Sequence, residues 1–300
     1  MICSNINTLY RDPDVFSSRP FPLQKERSIN ASTLNKMVVQ AYQKGIFQLG
    51  SPAASSSSSS SSSAPTLKDH EVHIWKVPTE RSLEEIAYFS TLLNPEEAER
   101  AKNYKLNRDR HPFIVARGIL RTLLSYYTGT PPQDILFSYN KNGKPSLTVQ
   151  SLQFNLSHTK NLALYAFSHT QPIGIDVEDN KHPLRDISEL VRSAFSLSEQ
   201  KQLNELSEDR LTTGFWRCWT RKEAFTKAIG KGFGFPWQNF DVSIGISPKI
   251  LQIDGDAKEA ASWSLNELSL GEDYTASLAI QDHQWVPCLF ELDNAAFIQK

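Results

Sequence analysis

The sequence has 300 residues, of which 39% are hydrophobic and 22% are charged, and its formal net charge at pH 7 is −1. This is the composition of a globular protein with enough chain for one large domain or two ordinary ones. The near-neutral charge argues against broad adhesion to nucleic acid or anionic membranes, so an anionic ligand has to meet a local basic cluster. The 3 cysteines are scattered and form no CxxC pair, which argues against a disulfide framework and against a zinc site.

We expect a cytoplasmic protein, because no apolar run reaches the length of a bilayer span and the N-terminus lacks the apolar core of a secretory signal. An organellar transit peptide is the alternative, since the first segment has few acidic and several basic residues. Residues 1–69 are predicted to form an N-terminal extension, with a short amphipathic helix at 34–47 and a flexible serine linker at 55–63.

The folded part is predicted to begin near His70 with an alternating, half-buried strand at 71–77. Asn94 and Pro95 have the character of a helix N-cap and first helical residue. A second helix is predicted at 113–128, ending at Gly129. A turn at 142–143 and strands at 161–168 and 172–178 follow.

The second half repeats this order of elements. Helices are predicted at 187–195, from Ser196 onward, and at 212–229, and strands at 241–246, 263–270 and 274–281. The sequence therefore predicts an α+β fold of two similarly built α/β halves, residues 70–171 and 172–300, which share an interface.

The segment Gly-Ile-Asp-Val-Glu at 174–178 carries the first candidate site. Side chains alternate along a strand, so Asp176 and Glu178 point to one face and Ile175 and Val177 to the other. Paired carboxylates are ligands that a hard cation such as Mg²⁺ prefers. The alternative is an edge strand with a solvated charged face.

A second candidate lies on the long helix, where Trp219, Glu223 and Lys227 are spaced four residues apart and share one face. An ordinary Glu–Lys pair beside a core tryptophan is the simpler interpretation. Lys222 adjoins Glu223, however, and the glycine-rich segment 230–234 lets a phosphate approach the backbone.

A third candidate is the segment Phe-Asn-Leu-Ser-His-Thr at 154–159, interpreted as a loop before a strand. Ser157 and His158 can donate to a phosphate, and Lys144 lies upstream in a Gly-Lys-Pro turn. A lone loop histidine is more often structural.

Together, in this order and spacing, these segments resemble the 4′-phosphopantetheinyl transferases of the long, surfactin-synthetase-activating type. The motifs that carry the resemblance lie at 143–145, 154–159, 172–178 and 219–233, and the similarity covers the chain from about His70 onward. Residues 1–69 lie outside it.

The resemblance implies a role for each matching residue. Asp176, Glu178 and Glu223 would hold a Mg²⁺ ion at the pyrophosphate of coenzyme A, the co-substrate. Glu223 would also help to deprotonate the incoming serine, and Lys227 would neutralise or protonate the leaving adenosine 3′,5′-bisphosphate.

The same resemblance implies the contacts with coenzyme A. These would come from Lys144, Ser157, His158, Lys222, Arg100 and Arg110. The sequence departs from the family pattern where Glu97 replaces a basic residue and where Pro112 stands in place of an arginine, which leaves the grip on the 3′-phosphate open.

The implied partner is an apo acyl- or peptidyl-carrier protein, which supplies the serine nucleophile, and we expect the transferase to be a monomer. Two other functions remain open from the residues alone. One is a different Mg²⁺-dependent phosphodiesterase or nucleotidyl transferase with the same carboxylates. The other is a non-catalytic module that binds carrier proteins.

Overall fold

The structure, a computed structural model, describes residues 66–148, 152–181 and 187–292. The predictions for 34–47 and 55–63 lie outside these residues. The described chain divides into two compact units. The first contains Leu67–Trp75 and Leu136–Cys288, and the second contains Lys76–Ile135 and residues 289–292.

Seven α-helices and eleven strands lie in the described residues. The helices are α1 (Leu83–Thr91), α2 (Pro95–Asn103), α3 (Asn107–Thr128), α4 (Ile187–Ala194), α5 (Leu197–Asn204), α6 (Glu208–Ala228) and α7 (Ala257–Ala260). The strands are β1 (Glu71–Pro78), β2 (Phe137–Tyr139), β3 (Pro145–Leu147), β4 (Gln153–His158), β5 (Leu162–Ser168), β6 (Ile173–Asp179), β7 (Phe240–Val242), β8 (Ile250–Ile253), β9 (Ser264–Glu267), β10 (Tyr274–Ile280) and β11 (Val286–Glu291).

The second unit is built from α1, α2 and α3. Asn94 caps α2 by accepting a hydrogen bond from the backbone N–H of Glu97, as the sequence predicts. The Glu97 carboxylate also pairs with the fully buried Arg121 on α3 at 2.5 Å. In this sequence Glu97 therefore joins two helices.

Two sheets carry candidate site residues. The three-stranded sheet has the order β6-β10-β9 and is antiparallel, with Asp176 opposite Ser277. The other sheet has the order β11-β1-β5-β4. Apolar residues of β1, β5, β6 and β10 form a common core, which includes Ile175 and Val177.

Helix α6 packs along β6 at close range because Gly174 has no side chain. A Cβ atom at Gly174 would lie 2.0 Å from the carbonyl oxygen of Ala224 and 2.4 Å from the nitrogen of Ala228. The opposite side of α6 contributes to an aromatic core that contains Phe195, Phe215 and Phe225. Strand β6 thus lies between an apolar core and the helix.

The predicted α+β class is confirmed, while the boundary between residues 171 and 172 stays a prediction. Residues 153–158 form strand β4 rather than a loop, because they pair along their length with β5. Helix α3 begins at Asn107, six residues before its predicted start, because Pro112 near its beginning removes only one helical hydrogen bond. None of the described helices is long and apolar enough to span a bilayer.

Candidate active site

The candidate site lies where the polar face of β6 meets α6. Asp176 is 3% exposed, although its neighbours Ile175 and Val177 point into the apolar core. The strand alternation predicted from the sequence is therefore present. It directs the carboxylate of Asp176 towards the helix rather than towards solvent.

Lys227 on α6 binds Asp176 directly. Its Nζ donates to Asp176 Oδ1 at 2.7 Å, to Ser157 Oγ at 3.1 Å and to the carbonyl of Ile175 at 3.3 Å. Ser157, on β4, donates to the same Asp176 oxygen at 2.8 Å and accepts from the backbone N–H of Val177 at 3.3 Å. Three elements thus fix the position of one buried carboxylate.

Two further carboxylates share this environment. Burial, together with the charge of Asp176, raises the pKa of Glu178 to about 9, against the pull of Lys227. Burial and Asp176 likewise raise the pKa of Glu223 to about 7. Burial by itself lowers the pKa of Lys227, but the charges of Asp176 and Glu223 outweigh it, so this pKa lies above its ordinary value. The site is a cluster of three acids and one ammonium group.

The donor set fits a hard divalent cation in its chemistry. Asp176 Oδ2 is buried and has no hydrogen-bond partner in the described part of the chain. Burial is the main cause of the raised pKa values of Glu178 and Glu223, and the charge of Asp176 adds to it, so a cation with oxygen ligands such as Mg²⁺ would favour the ionised form of these acids. The three carboxylates do not converge fully, since they are not among the described groups whose ligand atoms all lie within 4.8 Å of one another.

Comparison with known proteins places the chain in a family. Residues 75–170 match the family model "4′-phosphopantetheinyl transferase, N-terminal", and residues 172–279 match the model "4′-phosphopantetheinyl transferase superfamily". The 4′-phosphopantetheinyl transferase HetI of Nostoc sp. is 33% identical over 226 residues, which are 74% of this chain and 92% of HetI. The chain belongs to the 4′-phosphopantetheinyl transferase family.

Two further relatives also carry the name of this transferase family. The 4′-phosphopantetheinyl transferase Sfp of Bacillus subtilis is 32% identical over 164 residues, which are 54% of this chain and 71% of Sfp. The L-aminoadipate-semialdehyde dehydrogenase-phosphopantetheinyl transferase of Homo sapiens is 28% identical over 218 residues, which are 65% of this chain and 71% of the human protein. The family resemblance noted from the motifs is therefore confirmed.

Lys222 of the transferase does not have the position that a coenzyme A contact requires, and that prediction is wrong. The side chain is fully buried, and its Nζ donates to Glu199 Oε1 at 2.8 Å and to the carbonyl of Phe240 at 2.6 Å. Lys222 precedes Glu223 by one residue, so its side chain points about 100° away from that of Glu223 around the helix axis. The pair it forms with Glu199 belongs to the core.

Lys144 lies near the site, but its ammonium group is held by backbone carbonyls. Its Nζ donates to the carbonyl of Ile173 at 3.0 Å and to that of Ala228 at 2.9 Å, at the start of β6 and the end of α6. Burial lowers the pKa of Lys144 to about 8. In this arrangement Lys144 ties the two elements of the site together, and its contact with coenzyme A stays a prediction.

The other predicted coenzyme A contacts have diverse surroundings. The hydroxyl of Ser157 is engaged with Asp176, and His158 lies exposed at the end of β4. Arg100 and Arg110 belong to the second unit, where Arg100 lies 4.8 Å from the ring centre of Phe113. The roles of these four residues in binding stay predictions.

Sequence reasoning missed one hydrogen bond of Glu178. Trp219, assigned only to core filling or to the helix face, hydrogen-bonds the Glu178 carboxylate through its side chain. The sequence did show that Trp219 lies four residues before Glu223, and this spacing places both side chains on the same face of the helix. The pairing with Glu178 depends on how α6 packs on β6, which spacing does not reveal.

Proposed function

We propose that this transferase moves 4′-phosphopantetheine from coenzyme A to a serine hydroxyl of an apo acyl- or peptidyl-carrier protein, in a Mg²⁺-dependent reaction that releases adenosine 3′,5′-bisphosphate. The observation that carries the proposal is the contact of 2.7 Å between Lys227 and Asp176, beside the acids Glu178 and Glu223. These four residues belong to the two motifs on which the family resemblance rests.

In the proposed reaction the serine oxygen attacks the β-phosphorus of coenzyme A. The new bond joins the serine Oγ to phosphorus, and the bond between that phosphorus and the bridging pyrophosphate oxygen breaks. The electron pair of the broken bond leaves with adenosine 3′,5′-bisphosphate, and the serine proton passes to a base. Such a displacement depends on positioning and on neutralised charge more than on covalent chemistry by the enzyme.

Glu223 suits the role of base, directly or through a water molecule. Burial raises the pKa of its carboxyl to about 7 in the metal-free site, and a bound cation would lower this pKa again, so the carboxylate would be ionised and able to accept a proton. The nucleophile comes from the partner, so the enzyme needs no activated serine or cysteine of its own.

Lys227 suits charge neutralisation better than proton donation. Its pKa is raised by the surrounding carboxylates, so the side chain keeps its proton at neutral pH. A fixed ammonium group beside the reaction centre stabilises the negative charge that grows on the leaving phosphate. Asp176 and Ser157 hold this group in place.

Asp176, Glu178 and Glu223 are the residues that would hold Mg²⁺. The ion, when bound, supplies charge neutralisation on the pyrophosphate oxygens. The orphaned Asp176 Oδ2 and the excess of acidic over basic groups support this assignment. Trp219 holds Glu178 in position for it.

The remaining coenzyme A contacts belong to the same proposal. Lys144, Ser157, His158, Arg100 and Arg110 would contact the nucleotide end of coenzyme A. The enzyme would work as a monomer in the cytoplasm. The boundary between its two halves would lie between residues 171 and 172 of the sequence. The names of the relatives, which describe phosphopantetheinyl transfer, support the reaction class.

Intact-mass measurement of an apo acyl-carrier protein tests the proposal. The carrier is incubated with the transferase, Mg²⁺ and coenzyme A, and a parallel sample receives excess chelator. We expect one phosphopantetheine unit per carrier and an equal amount of adenosine 3′,5′-bisphosphate, both suppressed by the chelator.

Each rival function predicts a different result. Cleavage of coenzyme A with an unmodified carrier would indicate a phosphodiesterase. Intact coenzyme A and an unmodified carrier that co-elutes with the protein would indicate a binding module. Glu223→Gln is the matched variant, and we expect it to lower turnover by at least about a hundredfold while the fold is kept.

A further inference from the structure

A second cluster of ligand-type side chains lies outside the active site, on strands β1 and β11. Glu71 and His73 are two residues apart on β1, so their side chains point to the same face of the sheet. The backbone N–H of Val286 donates to the carbonyl of His70 at 2.8 Å and aligns β11 beside β1. This alignment brings Cys288 next to the other two residues.

The three side chains lie close together, and the distance between two of them matches the spacing of ligands on one metal ion. One ligand atom each from Glu71, His73 and Cys288 lies within 4.8 Å of the others. Glu71 Oε2 and His73 Nε2 are 3.4 Å apart, which is long for a hydrogen bond. Two ligand atoms bound to one tetrahedral zinc ion, at bond lengths of about 2.0–2.2 Å, lie about 3.3–3.5 Å apart.

The surroundings of Glu71 hold its carboxylate in the orientation that a ligand needs. Lys68 donates from Nζ to Glu71 Oε1 at 2.9 Å and from its backbone N–H to Oε2 at 3.2 Å. Ligating carboxylates are themselves usually hydrogen-bonded, which fixes their direction. His73 is 1% exposed, so its ring is also confined.

We propose that Glu71, His73 and Cys288 form a zinc site, separate from the carboxylates of the active site. A thiolate, an imidazole and a carboxylate together favour Zn²⁺, whereas Mg²⁺ prefers oxygen ligands alone. Three protein ligands leave the fourth position of a tetrahedral ion to water. The scattered cysteines without a CxxC pair argued against a zinc site, and this proposal departs from that inference because the ligands come from opposite ends of the described chain.

The site has a structural consequence for the sheet. Strand β11 lies at the edge of the order β11-β1-β5-β4. An ion bound by Cys288 on β11 and by two residues of β1 cross-links the edge strand to its neighbour. An ion that binds only the folded state stabilises that state, and the stabilisation increases with the concentration of the ion.

Zinc titration of the metal-free, full-length protein tests the site. The titration is done in excess Mg²⁺, which occupies the oxygen ligands of the active site, and is followed by equilibrium dialysis and by thermal unfolding. We expect one Zn²⁺ per chain and a rise in melting temperature with Zn²⁺. Co²⁺ in place of Zn²⁺ is expected to give a thiolate-to-metal charge-transfer band.

Cys288→Ser is the decisive variant, because Cys288 is only partly buried and is no part of the catalytic machinery. We expect it to keep transferase activity, to bind Zn²⁺ at least about tenfold more weakly and to lose the charge-transfer band. Cys3→Ser, a matched change elsewhere in the chain, is expected to leave all three readouts unchanged. His73→Gln should weaken binding as Cys288→Ser does.

Two results would overturn the proposal. One is the absence of stoichiometric Zn²⁺ binding to the wild-type protein. The other is Zn²⁺ binding that survives in Cys288→Ser but is lost in Asp176→Ala, because the ion would then lie in the active site.

Discussion

Two lysines of helix α6 have different roles, one in stability and one in catalysis. Replacing each lysine by methionine in turn distinguishes these roles. Lys222 is fully buried against Glu199, whereas Lys227 is 26% exposed and faces Asp176. Methionine keeps most of the aliphatic volume and removes the charge. We expect Lys222→Met to lower stability and Lys227→Met to lower turnover.

The magnitude for Lys222→Met follows from what it leaves behind. Removing one partner of a buried ion pair costs about 3–5 kcal/mol because the other charge stays buried. Glu199 keeps backbone donors at Ser196 (2.9 Å) and Val242 (2.8 Å), which offset part of the loss. Burial also raises its pKa, which eases protonation. We therefore expect the lower end, about 3 kcal/mol, or more than a hundredfold in the folding equilibrium.

Urea unfolding followed by tryptophan fluorescence measures this loss, since Trp219 and Trp237 lie in the same core as Phe195. Turnover per folded molecule should stay within about twofold of wild type for Lys222→Met, and should fall at least about a hundredfold for Lys227→Met. Wild-type stability in Lys222→Met, or a stable variant with lost turnover, would refute the assignment of Lys222 to the core.

Three further predictions concern the contact between α6 and β6. Gly174→Ala should lower the free energy of unfolding, measured in urea, by more than about 1 kcal/mol, because the new Cβ atom would lie 2.0 Å from the carbonyl oxygen of Ala224. Unchanged stability would contradict this packing of α6 on β6. Ser157→Ala removes a donor to Asp176 and should lower turnover as well as raise the coenzyme A KM; unchanged turnover would show that the hydrogen bond to Asp176 plays no part in catalysis. In excess chelator, the stability of the fold should decrease as pH rises from about 5 to 9. The pKa of Glu178 is about 9 in the folded state and ordinarily 4.5, so between these values the folded state binds one proton more than the unfolded state. Thermal unfolding that does not depend on pH would argue against a buried carboxyl at this position.

Local periodicity was enough to predict the two elements of the active site. The alternation of apolar and acidic residues along β6 and the four-residue spacing of Glu223 and Lys227 on α6 both reappear in the structure. Helix α1 was missed, although Ser82 and Glu85 form a capping box that the sequence displays.

Contacts between distant segments could not be derived in this way. Adjacency in sequence led to the wrong role for Lys222, because consecutive helical residues face different directions and only packing shows which face is buried. The contact of Ser157 with Asp176 depends on how β4 lies beside β6. The cluster at His73 depends likewise on the pairing of β1 with β11.

In the proposed reaction Asp176, Glu178 and Glu223 together hold one divalent cation. Titration of Mn²⁺, a paramagnetic substitute for Mg²⁺, into the coenzyme A complex and detection of free Mn²⁺ by electron paramagnetic resonance measures this directly. We expect one Mn²⁺ per chain in the wild type and at least about tenfold weaker binding in Asp176→Ala, Glu178→Gln and Glu223→Gln alike. Wild-type Mn²⁺ affinity in any of the three variants would remove that residue from the cation site, and in all three it would contradict the claim.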